Sequence, residues 1–105
     1  MNAKRKILVV DDEINVCKSI CQAIESDDYE VDTALSGEEA LKKDKEQPYD
    51  LIITDLMMPG ISGMDLLTSL KTARPGVIVI IITGYPTIKT AVQSVKIGAF
   101  DYLPK

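Results

Sequence analysis

A chain of 105 residues with 46% hydrophobic and 27% charged side chains has the size and composition of one ordinary globular domain with a single core. Its formal net charge of -4 argues against an unaided grip on nucleic acid, which needs a basic surface. No apolar run approaches the roughly 20 residues that span a bilayer, and with no histidine there is no phosphohistidine, no histidine general base and no Ser-His-Asp triad.

The basic opening Met1-Asn2-Ala3-Lys4-Arg5-Lys6 carries the charge of a secretory n-region. Only Ile7-Leu8-Val9-Val10 follow before Asp11-Asp12, too short an apolar segment for a signal peptide. Those four residues form the first predicted strand. A helical pattern then runs over 14–25, with Ile14, Cys17, Ile20, Cys21 and Ile24 on one face. The two cysteines read as small core residues, because a zinc site lacks further soft ligands and nothing requires an oxidising compartment. Ser26-Asp27-Asp28 ends that helix. Residues 29–34 alternate as a short strand with Tyr29, Val31 and Thr33 on one side. Ser36-Gly37-Glu38-Glu39 fits a capping box ahead of a second helix over 37–45. Gln47-Pro48-Tyr49-Asp50 turns the chain into a buried strand over 51–54, followed by Asp55 and the loop Met58-Pro59-Gly60. Ser62 caps a third helix that runs to Ala73 and stops at Arg74-Pro75-Gly76. A long apolar strand over 77–82 leads into Thr83. Pro86-Thr87 opens a fourth helix with apolar residues at Ile88, Ala91, Val92 and Val95, and Gly98 stops it. Residues 100–103 make the fifth strand, ahead of Pro104 and Lys105. The chain shows no repeats, low-complexity segments or interdomain linkers.

Strict alternation of strands and helices predicts an α/β domain: a doubly wound, five-stranded parallel sheet with right-handed crossovers. Strands 1, 3 and 4 are continuous apolar runs, as expected of central strands buried on both faces, whereas strand 2 alternates like an edge. The flavodoxin-like order 2-1-3-4-5 places a ligand crevice at the carboxyl ends of strands 1, 3, 4 and 5. Asp11, Asp12, Asp55, Thr83 and Lys105 all fall there. Three carboxylates so close repel one another and need a metal ion and the lysine to coexist. A divalent cation and an ammonium together suit phosphoryl chemistry, since both neutralise phosphoryl oxygens.

Val9-Val10-Asp11-Asp12-Glu13, Thr54-Asp55-Leu56-Met57-Met58-Pro59-Gly60, Ile82-Thr83-Gly84 and Tyr102-Leu103-Pro104-Lys105 occur in that order on those elements. Together they resemble the receiver domain of bacterial two-component response regulators, over the whole of 1–105. The ending from Gly98 to Lys105 is most similar to receivers of NtrC-type transcription activators. The resemblance implies that Asp55 is the phosphoacceptor, forming an aspartyl phosphate. Asp12, Asp55 and the backbone carbonyl of Met57 would hold Mg²⁺ directly, and Asp11 through metal-bound water. Lys105 would pair with Asp55 and then with a phosphoryl oxygen, Thr83 would donate its hydroxyl to that group, and Tyr102 would turn inward behind it. Gly84 would leave space over the site, with Met57 and Tyr85 governing access of water. The same resemblance implies a histidine kinase or phosphotransfer protein as donor, an output domain acting on transcription in the parent protein, no direct nucleic-acid or membrane contact, and a cytoplasmic location.

Each residue also has a plainer reading. Asp55 can cap a turn, Asp11-Asp12 can cap the first helix beside Glu13, and Thr83 can be a β-branched strand residue. Lys105 can be an exposed terminal lysine, and Tyr102 an edge-strand aromatic half packed on the core. Three function classes follow: a phosphoaccepting switch, a receiver-fold binding module that works unphosphorylated, and an enzyme such as an aspartyl phosphatase. The last usually needs a second acid two residues after the nucleophile, where this chain has Met57. A flavin carrier is disfavoured because Asp11-Asp12-Glu13 would repel a cofactor phosphate. Receivers continue past the lysine into a fifth helix, which this chain lacks. Its loss is expected to uncover apolar surface on strands 1, 3 and 5 and on helix 1, to lower stability and to promote self-association.

Overall fold

The apolar runs pair as one parallel sheet of order β2-β1-β3-β4-β5 in a computed structural model that describes residues 4–105. Residues 1–3 of the basic opening lie outside the described residues. The strands are β1 (Arg5–Val10), β2 (Tyr29–Ala34), β3 (Leu51–Asp55), β4 (Ile78–Thr83) and β5 (Asp101–Pro104). Between them run α1 (Ile14–Ile24), α2 (Gly37–Glu46), α3 (Gly63–Ala73) and α4 (Ile88–Ile97). The expected fold class and strand order hold. In register, Val10 lies beside Thr54, Asp55 beside Ile82 and Thr83 beside Pro104, so the carboxyl ends of β1, β3, β4 and β5 form one rim.

Local chemistry sets the helix starts. Ser36, Ser62 and Thr87 each accept a hydrogen bond from the backbone N–H three residues on, satisfying donors that the helix itself leaves free. Glu39 does not complete a capping box; its carboxylate pairs with Lys43 one turn later at 3.3 Å. Gly98 ends α4 with φ 116°, a left-handed conformation that glycine adopts without a Cβ clash.

The core has two sides. Leu8, Val10, Ile52, Val79 and Ile81 pack beneath α2 and α3, meeting Ala40, Leu66, Leu67 and Leu70. Ile7, Val9 and Ile53 face the other way and are covered by α1 through Cys17, Ile20, Cys21 and Ile24. Both cysteines are free, and burial pushes the Cys17 thiol upward, which keeps it neutral and fits the core reading.

The structure corrects the expected burial of the sheet. β4 is not buried on both faces, and the uncovered apolar surface centres on β4 and β5, reaching β3 only at the half-buried Leu51. Ile78 is 43% exposed and Ile80 and Ile82 are half-buried, while α1 keeps Ile7, Val9 and Ile53 buried. Most of the apolar stripe of α4 turns to solvent, a facing that its period alone leaves open. Ile88, Val92 and Val95 are 85%, 48% and 64% exposed, while Ser94 is fully buried and Ile97 meets the core. The helix lies against α3 and β5 with Ser94 and Ile97 turned inward, which leaves its opposite side to solvent.

A polar clamp fastens the helix ends opposite the rim. The guanidinium of Arg74, at the end of α3, donates to the buried carboxylate of Asp44 in α2. It also donates to the carbonyl of Tyr49 at 2.6 Å, and the Tyr49 N–H donates to Asp44 at 3.0 Å. The Tyr49 hydroxyl donates to Asp32 at 2.7 Å; burial, with the Asp32 charge, pushes that phenol well above its ordinary range. Every member is paired, as buried charges must be.

Candidate functional site

Each strand of the rim delivers one or two chemical groups. Asp11 and Asp12 follow β1, Asp55 ends β3, Thr83 ends β4 and Lys105 follows β5. One carboxylate oxygen from each of Asp11, Asp12 and Asp55 lies within 4.8 Å of the others. The Lys105 ammonium donates to Asp11 Oδ2 at 2.9 Å and sits 3.3 Å from Asp55 Oδ1. Lys105 therefore bridges two acids, with Asp11 the nearer; pairing with Asp55 was expected, pairing with Asp11 was not. The second Asp11 oxygen accepts from the Glu13 N–H at 2.9 Å, so both oxygens of this fully buried carboxylate are engaged. Glu13 is the N-cap of α1 but makes no side-chain capping bond.

Electrostatics follow from that packing. Burial pushes the Asp55 carboxyl above its ordinary range, and the Asp11 charge adds to the shift. Lys105 and the backbone N–H of Met57 oppose it by hydrogen bonding to the carboxylate. For Lys105, burial works to lower the pKa, but the bond to Asp11 and the charges of Asp55 and Asp11 outweigh it, so the ammonium is held. A cleft of about 410 Å³ opens above, lined by Asp12, Glu13, Val16, Asp55, Met57, Gly84, Tyr85 and Lys105. Hard carboxylate oxygens facing an open cleft are the donor set of a small divalent cation that keeps part of its water, so these residues fit Mg²⁺.

Around the cleft, Met57 and Tyr85 are exposed, and a Cβ at Gly84 would meet nothing within 4 Å. The Thr83 hydroxyl is buried and accepts from the Tyr85 N–H at 3.0 Å. Tyr102 stands apart from the acids, its hydroxyl bonded to Thr90 Oγ1 at 2.6 Å. Gly63 was missed by sequence reasoning. It begins α3 against the back of the site, where a Cβ would lie 2.1 Å from the Asp55 carbonyl oxygen. A glycine in the first turn of an otherwise good helix, straight after the capping Ser62, is the signal that was there to find.

The model of the response regulator receiver domain matches residues 7–105. The chain belongs to that family. Receiver domains are signalling modules of two-component systems that bind Mg²⁺ at an acidic pocket, and they are not enzymes that turn over a substrate. Over 99 residues this receiver is 39% identical to the transcriptional regulatory protein ZraR of Escherichia coli (strain K12), covering 94% of the chain and 22% of ZraR. The chain thus spans about a fifth of that relative's length. A response regulator receiver domain protein from Clostridium thermocellum is 43% identical with a TM-score of 0.89, over 96% of this chain and 82% of that one. A response regulator from Burkholderia pseudomallei is 34% identical with a TM-score of 0.88, over 97% and 60% of the two chains. Its crystal structure holds a phosphorylated aspartic acid, a calcium ion and citrate. No helix among the described residues is long and apolar enough to cross a membrane.

Proposed function

We propose that this receiver takes a phosphoryl group onto Asp55 from a phosphohistidine of a separate kinase or phosphotransfer protein. The observation that carries this is the Asp55 carboxylate at the foot of an open cleft, between two further acids and a lysine bonded to both Asp11 and Asp55. A carboxylate oxygen of Asp55 attacks phosphorus, the bond from phosphorus to the donor breaks, and the donor leaves with that electron pair. Bound Mg²⁺ would neutralise the phosphoryl oxygens as charge gathers on them. Asp12, Asp55 and the Met57 carbonyl would hold it, with Asp11 acting through water. Lys105 turns its ammonium from Asp55 to a phosphoryl oxygen, and Thr83 exchanges the Tyr85 N–H for the same group. Met57 and Tyr85 stand where water must pass to hydrolyse the product, and Gly84 keeps the approach open. Thr83 and Tyr102 carry the change to the face of α4 and β5, and that face biases an output domain acting on transcription in the parent protein. The protein works in the cytoplasm.

Acetyl phosphate with Mg²⁺ is expected to add one phosphoryl group to the folded chain, releasing acetate, and EDTA is expected to prevent it, as read by intact mass. A phosphoryl adduct that forms equally well in EDTA would sink the metal-assisted reading and favour nonspecific phosphorylation. A folded sample with no adduct would favour the binding module that works unphosphorylated.

The same reading covers association. Ile78, Ile80, Ile82 and Leu103 present a contiguous apolar surface beside α1, and covering each half-buried side chain gains part of the about 1.5–3 kcal/mol that burial from full exposure brings. The chain studied alone is expected to self-associate through this face, its mass by light scattering rising with concentration. A concentration-independent monomer would contradict it.

A further inference from the structure

We infer that Thr90 is a positioning residue for the switch: its hydroxyl holds Tyr102 against the N-terminal cap of α4, so that the switch cannot turn without opening that cap. The Tyr102 hydroxyl has two partners, one in α4 and one at its N-cap. It lies 2.6 Å from Thr90 Oγ1 and accepts from the Thr87 N–H at 3.2 Å. Thr87 is itself the cap, accepting from the Thr90 N–H at 3.1 Å, and its hydroxyl lies 2.8 Å from that of Thr90. A consistent proton assignment closes the ring. Tyr102 donates to Thr90, Thr90 donates to Thr87 Oγ1, and the Thr87 N–H donates back to Tyr102.

Position makes this ring a latch rather than decoration. Four residues, Gly84 to Thr87, separate Thr83 from the start of α4. At the near end of that link the Thr83 hydroxyl is tied to the Tyr85 N–H; at the far end Thr87 is tied to Tyr102. A movement of Thr83 toward Asp55 therefore pulls on the segment that the ring holds in place. Inward rotation of Tyr102 gives up both of its bonds at once. The first turn of α4, with the exposed Ile88, loses the aromatic side chain that braces it. Thr90 thus sets how much of the population rests with Tyr102 tied to α4, and a group that stabilises one state alone shifts the equilibrium by its own free energy.

This inference rests on the phosphoacceptor reading of Asp55, and the experiment separates the two. Thr90→Val removes the hydroxyl but keeps the shape, the β-branch and the N–H that Thr87 caps. Thr90→Ser keeps the hydroxyl. Beryllofluoride with Mg²⁺ serves as the phosphoryl probe, followed through ring-labelled tyrosine in NMR spectra and through hydrogen exchange of the α4 amides. In the unchanged chain the probe is expected to move the Tyr102 ring signal and to speed exchange at residues 88–91. Thr90→Val is expected to move Tyr102 part of that way without the probe. It is also expected to lower the probe concentration for half-saturation by roughly two- to tenfold, the worth of one hydrogen bond. Thr90→Ser is expected to behave as the unchanged chain. Tyr102→Phe added to Thr90→Val is expected to shift half-saturation by less than the sum of the two single changes, since both break the Thr90–Tyr102 bond. If the probe moves Tyr102 but Thr90→Val leaves both half-saturation and the resting ring signal unchanged, the latch is wrong and the phosphoacceptor reading stands. If the probe fails to bind, or binds without moving Tyr102, the switch reading falls and the latch with it.

Discussion

Alanine at Gly63 is expected to destabilise the domain by about 3 kcal/mol or more, toward and beyond the upper end of ordinary overpacking effects. The added Cβ would lie 2.1 Å from the Asp55 carbonyl oxygen and 2.8 Å from the Leu56 Cα. Both neighbours are backbone and neither can rotate away. The Gly63 N–H also donates to the Leu56 carbonyl at 2.9 Å, which holds the start of α3 against the end of β3. Relief requires that α3 move off the sheet or that the Asp55 backbone shift, so fold and site suffer together. Gly84→Ala is the control, because a Cβ there meets nothing within 4 Å. Urea denaturation of both variants is expected to show a large loss for Gly63→Ala and a change near zero for Gly84→Ala. Equal midpoints would mean that α3 does not approach Asp55 this closely.

The second large effect concerns Asp55→Asn. This variant is expected to fold, to accept no phosphoryl group and to lose most of its stabilisation by Mg²⁺. A ligand at a hundredfold excess over its Kd stabilises the folded state by about 2.7 kcal/mol, and removing a direct carboxylate ligand removes most of that. Without metal the sign reverses. The Asp55 carboxyl is raised in the folded state by burial and by Asp11, so its ionised form is a burden there. That burden sets in as pH rises from the unfolded carboxylate range to the raised folded value, and it is fully present above it. Metal-free Asp55→Asn should therefore be at least as stable as the unchanged chain at neutral pH, with the advantage shrinking as pH falls. Thermal midpoints with and without Mg²⁺, over a pH series, check both signs. A variant that Mg²⁺ still stabilises fully would place the metal elsewhere.

Much of the fold was legible because strands buried in a parallel sheet advertise themselves as apolar runs, and because polar residues at their ends have few places to go. The runs ending in Asp11-Asp12, Asp55, Thr83 and Lys105 converge as their order demands. The capping residues Ser36, Ser62 and Thr87 were equally readable, since the chemistry of a cap is local.

What escaped the sequence is tertiary. A 3.6-residue period shows that α4 has stripes but not which stripe meets the protein. Ala91, Ser94 and Ile97 were chosen over Ile88, Val92 and Val95 by how closely the helix lies on α3 and β5. The coverage of β1 and β3 by α1 depends likewise on where one helix sits across the sheet. Lys105 could be assigned to the rim, but its nearer partner, Asp11, is a matter of a few tenths of an ångström. In the clamp Arg74 reaches Tyr49 and Asp44 across 25 and 30 residues of chain, which leaves no local signature.

The central claim, that Asp55 is the residue that carries the phosphoryl group, is tested most directly by trapping the product. Borohydride reduces an aspartyl phosphate to homoserine, so treatment of the acetyl-phosphate-reacted chain followed by peptide sequencing reads the position of attack. Homoserine at position 55, formed only with Mg²⁺, is the expected result. Homoserine at Asp11 or Asp12, or none in a folded sample loaded with Mg²⁺, would contradict it.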